Sequence, residues 1–249
     1  MFVGLGTLIN IAAILLGTVF GRIFGDALKE RTRNLLTDVL GAVTLIGAAS
    51  AIGSMFNEDF IKVFPTGFPI LIVLSSLIFG GVIGSLLRIE ERLAGLGIFL
   101  KEKFAKTLEN PNDSRENFVT GFVTASLIFV IGPLAILGSI SDGMSAGIDQ
   151  LLLKSALDFF AAMAFAAALG WGVAFSALPV GVYQGFWTII GLMLGSVLND
   201  YQVQAMTATG GVLLLGIALK LLKIKEIAIG DLLPALALAP LIASFATLI

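Results

Sequence analysis

The longest uncharged segment of the chain is the feature that most restricts its fold. Residues 159–199 contain no Asp, Glu, Lys or Arg over 41 positions, which as one continuous helix would extend about 62 Å. The hydrocarbon layer of a membrane is about 30 Å thick, so this segment is expected to cross it, turn and cross again. Pro179 and Gly181 predict the position of the turn, and the first of the two crossings is expected to begin near Leu151.

Six further uncharged segments bring the number of predicted spans to eight. They are Phe2–Gly21, Val39–Asn57, Val63–Leu87, Asn117–Ser141, Tyr201–Leu219 and Leu232–Ile249. Only 13% of the residues are charged and 57% are hydrophobic, whereas about a quarter of a soluble domain is charged. The sequence therefore predicts an all-α polytopic membrane protein, with residues 1–249 forming a single integral membrane domain.

The distribution of Lys and Arg predicts the orientation. If the eight spans alternate, 13 of the 15 basic residues fall in the first, third and seventh connections, all on one side. Basic loops face the cytoplasm, so we expect both termini to lie outside the cytoplasm. The net charge of −2 provides no basic surface for a nucleic acid.

The third connection, residues 88–116, is the only long loop between the predicted spans. Leu93, Leu96 and Leu100 recur at three- and four-residue steps, which is typical of an amphipathic helix on the membrane surface. A plain helical extension of the third span is the alternative.

Similar sequence segments recur in different spans. In spans 3 and 6, residues 79–85 (FGGVIGS) match residues 190–196 (IGLMLGS). In spans 5 and 8, residues 158–166 (DFFAAMAFA) match residues 231–239 (DLLPALALA). Because these spans would run in opposite directions, spans 3–5 and 6–8 are predicted to be inverted repeats. Such repeats are typical of alternating-access transporters.

The predicted repeats divide the domain into three parts. Residues 1–57 form an N-terminal helix hairpin, residues 63–177 the first three-helix repeat, and residues 181–249 the second. The alternative explanation for the similar segments is a chance alignment of Gly-rich and Ala-rich helices.

Several polar or helix-breaking residues inside the spans are candidates for a solute or ion pathway. Gly132 and Pro133 predict a break in span 4, either a discontinuous helix along a solute path or a simple kink. Lys154 and Asp158 are four residues apart on one helical face. They form either an ion or proton site or a plain ion pair near the interface. The remaining candidates are Asn10, Thr120, Thr124, Ser126, Gln184 and Asp231.

These remaining candidates also have structural explanations. Asn10 and Gln184 could form hydrogen bonds between helices, and Asp231 could be the N-cap of the last helix. The chain has neither Cys nor His, so no metal site and no cofactor is expected. An enzyme is not expected either, although Ser126 and Ser139 stay conceivable nucleophiles.

Two segments resemble a known family. Residues 130–143 (VIGPLAILGSISDG) and residues 6–21 (GTLINIAAILLGTVFG) are similar to the prokaryotic membrane family called domain of unknown function 554. The resemblance covers essentially the whole chain. It implies a bacterial or archaeal inner-membrane protein with a possible link to transport, and it supplies neither a substrate nor site residues.

The function predicted from the sequence is a secondary transporter for a small solute or ion, driven by an ion gradient. The alternatives are an oligomeric channel and a non-transport scaffold or sensor acting through residues 88–116. A homodimer in the lipid bilayer is the expected assembly.

Overall fold

The structure, a computed structural model, describes residues 2–25, 29–65, 67–104, 115–131, 133–194 and 198–248. These residues form helices and no strand, which confirms the all-α prediction. The α-helices are α1 (Leu5–Gly25), α2 (Glu30–Ile52), α3 (Glu58–Ile61), α4 (Phe68–Leu87), α5 (Ile89–Phe104), α6 (Arg115–Val130), α7 (Pro133–Gly143), α8 (Asp149–Leu169), α9 (Gly172–Phe175), α10 (Ala177–Leu194), α11 (Asp200–Leu221) and α12 (Pro234–Ala246). Short 3-10 helices cover Gly53–Phe56 and Ile229–Leu232.

Among the described residues, seven helical segments are long and apolar enough to cross a membrane, and the pair α6–α7, bent by 63°, makes eight. The contacts of this pair follow α8 over its length. Gly121 of α6 faces the backbone of Leu169, and the rings of Phe129 and Phe165 lie 6.3 Å apart. Gly138 of α7 faces Leu151. From Leu169 back to Leu151 is about 27 Å of helix, so the bent pair forms one broken span.

Helices α1 and α8 pack in parallel within the first of two compact units, which comprises residues 1–40, 93–130 and 134–197. A methyl group on Gly17 would overlap the carbonyl oxygen of Phe159, and one on Gly21 would overlap that of Met163. The two backbones therefore touch, as small residues permit between membrane helices. Because spans 1 and 5 are both odd-numbered, their parallel packing agrees with eight alternating spans.

The second unit comprises residues 41–92, 131–133 and 198–249. Here Gly80 of α4 packs on Ala235, and Gly84 on the carbonyl of Asp231, so α4 and α12 are antiparallel. Helix α11 begins at a capping box in which Gln202 accepts from the Asn199 amide at 2.7 Å.

One detail of the predicted spans is corrected. The turn after span 5 is not at Pro179 and Gly181, because helix α8 already ends at Gly170, whose φ of +87° suits glycine. Pro179 instead lies in the first turn of α10, where a missing N–H costs little.

The helix predicted within residues 88–116 exists as α5, but it is not a continuation of span 3. Arg88 adopts a left-handed φ of 52° and separates α5 from α4. The inverted repeats and their boundaries stay predictions.

Candidate functional site

A buried polar cluster joins α1 and α8 in the first unit. The Nζ atom of Lys154 donates to Oδ2 of Asp158, and Asn10 Nδ2 donates to the same oxygen at 3.0 Å. The Lys154 and Asp158 side chains are only 8% and 9% exposed, and Asn10 is fully buried. Asp158 lies nine residues after Asp149, at which α8 begins, so it lies about 14 Å into the helix.

The cluster is held on one side by an aromatic ring. Lys154 Nζ lies 5.9 Å from the ring centroid of Phe129, near the end of α6, where a cation–π interaction stabilises the ammonium group. A carboxylate, an ammonium and an amide thus meet in the middle of a membrane helix. Ionisable groups at such positions are costly and rare, so this cluster is the candidate functional site.

Several buried polar atoms of the first unit lack a hydrogen-bond partner within the described part of the chain. They include Thr7 Oγ1, Thr18 Oγ1, Asn10 Oδ1, both amide atoms of Gln184, and Trp187 Nε1. Thr7 is 7% exposed, and Thr18, Asn10 and Gln184 are fully buried. Buried polar atoms in native proteins are seldom without a hydrogen-bond partner. These atoms are therefore candidates for contacts with a ligand or a buried water.

The other candidates in the first unit lie on the broken span. Thr124 and Ser126 of α6 are buried and Thr120 is half-buried. The Ser126 hydroxyl donates to the carbonyl of Phe122, one turn earlier, at 2.6 Å. Pro133 begins α7, as the predicted break in span 4 requires, while Gly132 lies outside the described residues.

Asp231 belongs to the second unit and is not the N-cap of the last helix. It lies in the 3-10 helix before α12, and Leu233 holds the cap position without a side-chain bond. The Asp231 Oδ1 atom instead accepts from the Glu90 amide at 2.9 Å, at the beginning of α5. Glu90 in turn accepts from the Gly230 amide at 2.7 Å and from Lys220 at 3.3 Å. The two acidic side chains therefore cap one another's helices.

Asp142 is a buried residue that the sequence reasoning missed. Its two carboxylate oxygens accept from the amides of Gly4 at 3.3 Å and Gly6 at 3.0 Å, so it caps α1 from the end of α7. A cavity of about 120 Å³ lies beside it and is lined by Phe2, Ser145, Gly147 and Ile148. The sequence signal that could have revealed Asp142 is its position as the acidic residue directly after the uncharged span 117–141.

Comparison with known proteins gives a consistent result. The family described as "Protein of unknown function (DUF554)" matches residues 5–244. The chain is similar to the uncharacterized membrane protein YdfK of Bacillus subtilis, with 28% identity over 95% of this chain and 94% of the relative. It is also similar to the uncharacterized protein YqgA of Escherichia coli, with 30% identity over 94% of each chain. No solved structure matches the chain.

Proposed function

We propose that this chain, which belongs to the DUF554 family of membrane proteins, is a secondary transporter that moves a small solute or ion at the expense of an ion gradient. The observation that carries the proposal is the Lys154–Asp158 pair, buried in the middle of α8 and bonded to Asn10 of α1. A protein that only filled the bilayer would gain nothing from two desolvated charges.

The broken span α6–α7 supports the same function. Its two halves meet at a 63° bend, and Phe129 just before the bend packs over Lys154. Discontinuous membrane helices beside ionisable groups are the arrangement in which many transporters bind substrate and coupling ion. A change in the bend would alter the packing around Lys154 directly, and this would couple helix movement to the charge state of the site.

The experiment uses purified protein in liposomes that contain a pH-sensitive or a sodium-sensitive dye. We expect an imposed gradient of H⁺ or Na⁺ to drive a saturable flux. The flux should be lost in the variant Lys154→Met/Asp158→Asn, which removes both charges and leaves no unpaired one. The control is Asp149→Asn, on an exposed side chain at the beginning of the same helix, which should retain the wild-type flux.

Two results would contradict the proposal. An unchanged flux in the folded double variant would show that Lys154 and Asp158 are not part of the transport pathway. A flux that never saturates with ion concentration would indicate a channel.

Location, orientation and assembly belong to the same proposal. We place both termini outside the cytoplasm, because 13 of 15 basic residues fall on one predicted side. The similarity to bacterial proteins supports the inner membrane of a prokaryotic cell, and we propose a homodimer as the assembly. The chain lacks Cys, so Lys62→Cys and Lys225→Cys report on opposite sides. In whole cells an impermeant thiol reagent should label only the first. Light scattering of the purified protein measures the assembly directly.

A further inference from the structure

We infer that Thr7, Asn10, Gln184 and Asp158 form a binding site for a dehydrated monovalent cation, and that Lys154 takes the place of this cation when the site is empty. The inference rests on the proposed transport function and deepens it by naming a monovalent cation as the coupling ion. Binding itself is measurable without transport.

Contacts along α10 establish the depth of Gln184. Gly181 faces Ile11 of α1, and ten residues later Gly191 packs against the backbone of Ile140 in α7. Gln184 lies one turn after Gly181 on the same face of the helix. It is fully buried, so its amide points into the protein and not towards lipid.

The end of α7 lies at the beginning of α1, because Asp142 binds the Gly6 amide. Helix α10 therefore runs from the level of Ile11 towards the level of Gly6, antiparallel to α1. Gln184, between these two levels, lies at the depth of Thr7 and Asn10. Thr7 and Asn10 are three residues apart and share one face of α1. Three buried side chains with unpartnered oxygen atoms thus lie at one level of the first unit.

The chemistry of these groups favours a cation. The available atoms are Asn10 Oδ1, Gln184 Oε1 and Thr7 Oγ1. The Asp158 carboxylate adds Oδ1, because Asn10 and Lys154 both use its Oδ2. Oxygen acceptors outnumber N–H donors, and the Gln184 Nε2 group is the one amide donor left over. Carboxylate, amide and hydroxyl oxygens are the ligands that hard cations prefer. A single carboxylate neutralises one positive charge, which suits a monovalent ion.

Lys154 explains how the site stays neutral without the ion. Its ammonium group binds Asp158 one helical turn away, so the carboxylate is never left bare in a low-dielectric environment. A bound cation and the ammonium group compete for the same carboxylate. When the cation binds, the Lys154 ammonium group releases its proton to water, so one positive charge faces the one carboxylate in both states. The positive charge is the cation in one state and the Lys154 ammonium group in the other, and either neutralised state can change conformation.

The test measures Na⁺ binding to the full chain in detergent, with N-methyl-D-glucamine replacing Na⁺ at constant ionic strength. A ligand that binds only the folded state raises the unfolding midpoint in a saturable manner, and isothermal titration gives the affinity directly. We expect Thr7→Val and Gln184→Leu each to weaken Na⁺ binding roughly tenfold or more, as the loss of a contact to a charged group does.

A matched control and a second variant sharpen the test. Thr209→Val removes a buried hydroxyl that already donates to the carbonyl of Ala205 at 2.8 Å, and it should leave Na⁺ binding unchanged. Lys154→Met removes the competing ammonium group and should bind Na⁺ more tightly than the wild type, while Lys154→Met/Asp158→Asn should not bind it.

Three results would overturn the inference: no dependence of the wild-type midpoint on Na⁺, wild-type affinity in both Thr7→Val and Gln184→Leu, or weaker binding in Lys154→Met. In the first two cases the unpartnered groups hold buried water only, and in the third Lys154 does not compete with the ion. Proton-driven flux without Na⁺ binding would remove this inference and leave the proposed transporter. Na⁺ binding without any flux would leave this inference and remove the proposed transport function.

Discussion

The Lys154–Asp158 pair makes a quantitative prediction about stability. The two side chains are 8% and 9% exposed, so the replacement Lys154→Met leaves a buried carboxylate whose remaining observed contact is the Asn10 amide. Removing one partner of a buried pair costs about 3–5 kcal/mol. We therefore expect Lys154→Met to lower the free energy of unfolding by this amount in sodium-free buffer. The variant Lys154→Met/Asp158→Asn should recover most of the loss, because neither charge remains.

The chain contains a control pair with the same spacing. Lys62 and Glu58 are also four residues apart and in contact at 2.8 Å, but their side chains are 69% and 84% exposed. Exposed pairs contribute about 0–1 kcal/mol, so Lys62→Met should have little effect.

The assay is reversible unfolding in mixed micelles, followed by the fluorescence of Trp171 and Trp187 and extrapolated to zero denaturant. A loss below about 1 kcal/mol in Lys154→Met, or no recovery in Lys154→Met/Asp158→Asn, would refute the reasoning. The first result would show that water screens the pair in this conformation, contrary to its burial. The second would show that the loss does not come from the unpaired carboxylate.

Three further predictions concern helix packing and helix capping, and they are measured by unfolding or by amide exchange. Gly21→Ala should destabilise by about 1–3 kcal/mol, because its methyl group overlaps the α8 backbone. Gly47→Ala is the control, because its methyl group meets no described atom within 4 Å, and it should be neutral or stabilise by about 0.5–1 kcal/mol. Equal changes in stability in Gly21→Ala and Gly47→Ala would contradict the close packing of α1 against α8. Asp142→Ala removes the cap of α1 and should cost about 0.5–2 kcal/mol with faster amide exchange in the first turn of α1; unchanged exchange there would exclude the cap. Glu90→Ala should accelerate exchange of the Gly230 amide that it binds, and an unaffected amide would mean that water already satisfies this group.

The spans were predictable from the sequence because they depend on local properties. A helix that crosses lipid must be apolar over its length, and the basic residues restrict the number of crossings. The turn after span 5 was placed too late, because proline is tolerated in a first helical turn. The positive φ of Gly170 ends α8 earlier, and the sequence marks Gly170 no more strongly than many other glycines.

The candidate site was only partly predictable. Lys154 and Asp158 could be paired from their four-residue spacing, which is a property of one helix. The bond from Asn10 to Asp158 spans 148 positions and depends on the packing of α1 against α8. Asp231 illustrates the same limit, because a local capping rule points to α12 while the observed partner, Glu90, lies 141 positions away.

The most direct test of the account is whether an aqueous pathway opens to Thr7 during transport, because Thr7 is only 7% exposed in the conformation of the structure. The chain has no native Cys, so Thr7→Cys introduces a single thiol, and Leu16→Cys places one on a surface of α1 that is 54% exposed and apolar. A small, charged methanethiosulfonate reagent reacts with thiolates, which form only in contact with water. We expect Thr7→Cys to be modified in proteoliposomes, more slowly when Na⁺ is present, and Leu16→Cys to stay unmodified. If Thr7→Cys is as unreactive as Leu16→Cys, no aqueous pathway reaches the cluster, and the transport function proposed for it is wrong.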